Sequence, residues 1–143
     1  MRYLLDTNIC IYVINEKPPK VLRRFEQYPV HEFAISSITH AELQYGVSKS
    51  RHKTRNQAAL DEFLLPLTIL PFEGKTLVER YGEIRVFLES EGKTIGPLDT
   101  LIAAHALSLN LIIITNNIAE FSRIPGTRRT ESACRMESWT PVM

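Results

Sequence analysis

Four short polar segments stand out from an otherwise apolar-patterned chain. They are Leu5-Asp6-Thr7-Asn8, Thr39-His40-Ala41-Glu42-Leu43, Gly96-Pro97-Leu98-Asp99 and Thr115-Asn116-Asn117. Three of them carry a carboxylate. Carboxylates gathered in one place repel one another and resist ionisation unless a cation neutralises them. The suitable cation is hard and divalent: Mg²⁺ takes carboxylate oxygens and keeps several of its waters. Zinc is not indicated, because His31, His40, His52 and His105 are scattered and Cys10 lies far from Cys134. An oxygen-rich magnesium site suits phosphodiester hydrolysis, where the ion activates water and stabilises charge on the phosphate oxygens. A Gly-x-x-x-x-Gly-Lys phosphate loop and a diagnostic serine or cysteine nucleophile are both missing from the sequence.

Each segment also has an architectural reading. Asp6 suits the N-cap of a following helix. Thr39-x-x-Glu42 matches a capping box, in which the glutamate bonds back to the cap amide. Asp99, just after Pro97, would be stabilised at a helix N-terminus by the macrodipole. Asn116-Asn117 after a strand could form a turn. His105 reads as a core or half-buried histidine within the apolar run Leu101–Leu109.

Hydrophobic periodicity supplies the elements that must position these residues. Strands are expected at 2–5, 33–36, 67–72 and 111–115. Helices are expected at 8–15, at 19–27 with Val21, Leu22 and Phe25 buried, from Thr39, and at 54–65. A further helix over 75–91 carries Leu77, Val78, Tyr81, Ile84, Phe87 and Leu88 on its apolar positions, and another follows at 98–109. Alternating strands and helices imply a mostly parallel sheet covered on both faces, with the site beyond the carboxyl ends of the strands. Asp6, Asp99 and the asparagines are then expected from different strand ends of one sheet edge, with Glu42 one turn into the helix after the second strand.

The 143 residues are expected to form one domain, 44% hydrophobic and 23% charged, as in a globular protein. A signal peptide and a membrane span are not expected, so the cytoplasm is the expected location and the cysteines are expected to be free thiols. Net charge is only +1, but Lys49, Arg51, His52, Lys53 and Arg55 cluster, as do Arg123, Arg128, Arg129 and Arg135. Such clusters are commonly solvated surface, although a phosphate backbone can use them.

The segments resemble PIN-domain nucleases. Leu-Leu-Asp6-Thr7-Asn8 is similar to their opening, and Ile35-Ser-Ser-Ile-Thr39-His-Ala-Glu42-Leu-Gln-Tyr-Gly46 to their second motif. Gly96-Pro97-Leu98-Asp99-Thr-Leu-Ile-Ala-Ala-His105-Ala resembles the third, and Thr115-Asn116-Asn117-Ile-Ala-Glu120-Phe121 the fourth. The likeness runs to about residue 126 and is strongest to the VapC toxins of bacterial toxin–antitoxin pairs. It implies a flavodoxin-like α/β/α sandwich with a central mostly parallel sheet, usually a homodimer, and Mg²⁺- or Mn²⁺-dependent endoribonuclease activity. By the same resemblance Asp6 and Asp99 hold the metal, Glu42 completes the acidic cluster and Thr7 supports it. It further implies a VapB-type antitoxin lying over the site and a tRNA target, initiator tRNA among the possibilities.

Two features depart from the pattern. The fourth acidic position is Asn117, which favours one tightly held metal over two, with Asn116 and Glu120 in support. The tail from Thr127 to Met143 is longer and richer in arginine than is usual, with Trp139 matching a terminal tryptophan. Asn117 leaves open a catalytically inactive PIN-like module that binds RNA or protein. A phospho-accepting signalling domain would require an acidic pair beside its acceptor and a lysine after a late strand, where this chain has the asparagines.

Overall fold

In a computed structural model, residues 1–17, 19–126 and 136–137 are described. The chain runs β1 (Tyr3–Leu5), α1 (Thr7–Asn15), α2 (Pro19–Glu26), a 3-10 turn (Val30–Glu32), β2 (Phe33–Ser36), α3 (Ser37–Ser48) and α4 (Lys53–Leu64). It continues with β3 (Thr68–Leu70), α5 (Lys75–Ser90), α6 (Pro97–Ser108), β4 (Ile112–Ile114), α7 (Ile118–Phe121) and β5 (Met136–Glu137). The strands pair in the order β3-β2-β1-β4-β5, and every pairing is parallel.

Strand alternation sorts the core into two layers. Leu4, Ala34 and Ile113 point to the face covered by α5, α6 and α7, where they meet Leu77, Ile84, Leu88, Ile102 and Phe121. Tyr3, Leu5, Phe33, Ile35 and Ile114 point to the opposite face, against Ile9, Cys10, Val13, Val21, Leu43 and Leu60. The expected α/β/α sandwich with its parallel sheet is therefore present. Cys10 is a buried free thiol, while Cys134, Arg128, Arg129, Arg135 and Trp139 lie outside the described residues.

Three expectations need correction. Helix α3 begins at Ser37, with Ser36 as its N-cap: the Ser36 Oγ accepts the Ile38 N–H at 3.1 Å. Thr39 is therefore inside the helix and buried, and the Thr39–Glu42 capping box does not form. On α5 the buried stripe is Leu77, Ile84 and Leu88, whereas Val78 and Phe87 are 58% and 40% exposed. At about 100° per residue those two stand roughly 80–100° from the stripe, on its rims. In α2 only Val21 is fully buried; Leu22 and Phe25 are partly so.

Candidate active site

The sheet grows in one direction from β1 to β2 and β3, and in the other from β1 to β4. Such a switch point opens a crevice beyond the carboxyl ends of the two central strands. Asp6 leaves β1 there, and Thr115-Asn116-Asn117 leaves β4 beside it. Asp99 does not come from a strand end as expected. It sits in the first turn of α6, which follows α5, and α6 starts at this same edge with Pro97 in its opening turn. Glu42 projects from α3, the helix that follows β2.

Asp6 is 3% exposed and has two tasks. Its Oδ1 accepts the Ile9 N–H at 2.8 Å and so caps α1, as the architectural reading expects. Its Oδ2 accepts the Thr115 hydroxyl, 109 residues away in the chain. Thr115 Oγ1 in turn accepts the Asn117 N–H at 2.9 Å, which fixes the direction of the hydroxyl. Burial pushes the Asp6 carboxyl up from 3.8 to about 6; the Thr115 and Ile9 bonds oppose the rise, and the charges of Asp99 and Glu42 add to it. Asp99, half-buried, is also raised, first by burial and then by Glu120 and Glu42.

Glu42, freed from capping, is held from the side. Thr7 Oγ1 donates to Glu42 Oε1 at 2.8 Å and lies 3.2 Å from Thr39 Oγ1. Thr7 thereby joins α1 to α3 and fixes the orientation of Glu42. Asn116 turns elsewhere and donates to the Tyr12 hydroxyl at 3.0 Å. The Asn117 amide donates to Glu120 Oε2 at 2.8 Å. Glu120 is thus brought to bear on Asp99, and Asn117 stands behind it as a holder. The short helix α7, which had no counterpart in the expectations, makes this possible by turning Glu120 back toward the edge.

Thr115 stands in one of the four segments, but sequence reasoning gave it no role in the site. Its signal was its place directly after the apolar run Leu111–Ile114, where an inward hydroxyl meets the adjacent strand end. His105 is buried rather than part of the cluster, with Nδ1 2.8 Å from Ser36 Oγ and its pKa lowered by burial.

The arrangement suits a small hard cation. Among the described residues no lysine or arginine forms an ion pair with Asp6, Glu42, Asp99 or Glu120. No three acid, histidine or cysteine side chains among the described residues are grouped closely enough to hold a metal together. Asp6 and Asp99 are the carboxylates open to Mg²⁺, which needs only one or two and completes its octahedron with water. Asp6 keeps free lone pairs on both oxygens after its two hydrogen bonds. A cleft of about 840 Å³ gives access, lined by Asp6, Thr7, Glu42 and Asp99 among others. No helix among the described residues is long and apolar enough to cross a membrane.

Known proteins place this geometry in a family. Residues 3–126 match the PIN domain family. The ribonuclease VapC2 of Rickettsia felis is 51% identical over 126 residues, spanning 87% of this chain and 93% of that protein. The tRNA(fMet)-specific endonuclease VapC of Salmonella typhimurium is 41% identical over 128 residues, 90% of this chain and 96% of its own. A crystal structure of VapBC2 from Rickettsia felis, bound to a DNA fragment from their promoter, superposes with a TM-score of 0.84 at 44% identity. That likeness covers 98% of this chain and 100% of the other. The chain belongs to the PIN-domain family, among its VapC members.

Proposed function

We propose that the protein is a metal-dependent endoribonuclease, the toxin of a VapBC-type toxin–antitoxin pair, which cuts tRNA in the cytoplasm and so inhibits translation. The observation that carries this reading is a cleft at the switch point lined by Asp6, Glu42 and Asp99, with Glu120 near enough to raise Asp99, and with Asp6 buried and its charge unmatched by any lysine or arginine among the described residues. Initiator tRNA is the proposed target, on the strength of the Salmonella relative's name. A VapB-type antitoxin and a homodimer complete the proposed assembly; relatives solved as VapBC complexes support the first.

Asp6 and Asp99 would hold the ion, Mg²⁺ or Mn²⁺. When bound, the ion supplies a water nucleophile at neutral pH and offsets charge on the phosphate. Thr115 keeps Asp6 turned into the cleft, and Thr7 keeps Glu42 facing the same space. Asn117 holds Glu120 within electrostatic reach of Asp99. The inactive-module alternative rested on Asn117 replacing an acid. Glu120 restores a fourth carboxylate and weakens that alternative.

The test is cleavage of an initiator-tRNA anticodon stem–loop with and without Mg²⁺. Asp6→Asn and Asp99→Asn are each expected to lower the rate at least 100-fold while the far-ultraviolet circular dichroism stays unchanged. Cleavage by both variants at the wild-type rate, or by the wild type in excess chelator, would overturn the assignment.

A further inference from the structure

The cleft is not acidic throughout. Helix α3 lines it with Glu42 and, three residues on, Tyr45, and Lys49 at its C-terminal cap, seven residues beyond Glu42, lines it too. That spacing keeps all three near one face, with Lys49 about 10 Å from Glu42 along the helix axis. Tyr45 is 66% exposed, and the Lys49 ammonium lies 4.9 Å from its ring centroid. Among the described residues neither has another aromatic or ionic partner. Beyond Lys49 the cluster Arg51, His52, Lys53 and Arg55 is exposed along the α3–α4 turn and the start of α4.

A surface cation–π pair four residues apart on a helix contributes only about 0.5–1 kcal/mol, which does not account for its position in the mouth of an acidic cleft. Acids alone repel a phosphate backbone. Single-stranded RNA is bound elsewhere by an aromatic ring that stacks on a base, with cations tracking the phosphates. Tyr45 and Lys49 supply both, adjacent to the carboxylates. A basic peptide would be repelled by Lys49 and the cluster behind it, so the charge favours nucleic acid over such a partner at this end of the cleft.

We propose that Tyr45 and Lys49 form a nucleotide subsite, in which the Tyr45 ring stacks on an unpaired base next to the scissile bond and Lys49 holds a flanking phosphate. The proposal rests on the ribonuclease reading. It is tested with the same stem–loop RNA and a series in which single loop bases are replaced by abasic nucleotides. Tyr45→Ala is expected to raise KM about tenfold, within the range measured for one stacked base, with kcat changed less than twofold. Tyr45→Phe should restore KM. Lys49→Gln should reduce the salt dependence of binding by about one phosphate contact, whereas Lys75→Gln on α5 should not. One abasic position should raise KM for the wild type and have no added effect in Tyr45→Ala.

If the wild type cuts the RNA but KM, salt slope and abasic sensitivity are unchanged in the variants, the subsite is wrong. Loss of antitoxin binding by Tyr45→Ala, with RNA unaffected, would instead assign this surface to the protein partner and overturn the proposal. A wild type that cuts no RNA would overturn the ribonuclease reading. Anisotropy of the labelled stem–loop would then still decide the subsite, by whether Tyr45→Ala weakens binding about tenfold.

Discussion

A carboxamide at position 117 donates a hydrogen bond to Glu120, where a carboxylate would repel it. Asn117→Asp, which on charge count alone would complete a ring of acids, is therefore expected to lower cleavage roughly tenfold by turning Glu120 away. Single-turnover rates of Asn117→Asp and Glu120→Gln test this, and a faster Asn117→Asp enzyme would contradict it. Asp6 shows the other side of the same electrostatics. Its carboxyl is near 6 in the folded chain against 3.8 in the unfolded one, so folding favours the protonated form. That contribution is intact below pH 3.8 and is lost as pH rises through about 6, leaving a cost of about 3 kcal/mol at neutral pH. Asparagine keeps a capping oxygen and sheds the charge, but it puts an amide N–H where Asp6 accepts the Thr115 hydroxyl. Asp6→Asn should thus compare more favourably with the wild type at pH 7.5 than at pH 4, by about 1–3 kcal/mol without metal, and should lose stability at pH 4. Urea unfolding at the two pH values measures it.

Among the elements, the junction of β2 and α3 has the most to lose. Ser36 ends β2 and caps α3, and its hydroxyl is the partner of the buried His105 on α6. One serine therefore ties the helix of Glu42 to the helix of Asp99. Ser36→Ala removes a cap, at about 1 kcal/mol, and strands a buried imidazole nitrogen, at about 1–3 kcal/mol. A loss of roughly 2–4 kcal/mol in urea unfolding is expected, and a loss below 0.5 kcal/mol would show that the junction is held otherwise. This residue also marks the limit of what the sequence makes legible. The strands and the long helices follow from apolar periodicity, because both faces of the sheet are buried. Periodicity says nothing about which of Ser36, Ser37 and Thr39 will cap, since all three can. It also misses α7, whose four residues are too few to show a period. Asp6 was readable because the chain must turn directly after β1. Thr115 becomes a site residue only through a contact across the chain, and Glu120, expected in support, is placed there by α7, which periodicity misses.

At the scale of the whole molecule, the acids place unneutralised charge at one edge of the sheet. Mg²⁺ should therefore stabilise the entire fold, by about 2.7 kcal/mol when present at 100 times its dissociation constant. Thermal unfolding at pH 7.5 should shift upward by several degrees. At pH 5, where Asp6 is largely protonated, the shift should shrink, and an equal shift at both pH values would place the ion elsewhere. The sheet order was not readable from the strands themselves. It depends on β4 crossing back to pair with β1, Leu5 opposite Ile114. That pairing also orders events in time. The acids come from positions 6, 42, 99 and 120, and the Thr115 hydroxyl that orients Asp6 comes from the strand that docks late. At about 5–20 residues per second, the ribosome spends on the order of ten seconds producing a chain that holds Asp6 and Glu42 but lacks their partners. The site is thus assembled in an order that leaves it incomplete for most of the chain's own synthesis.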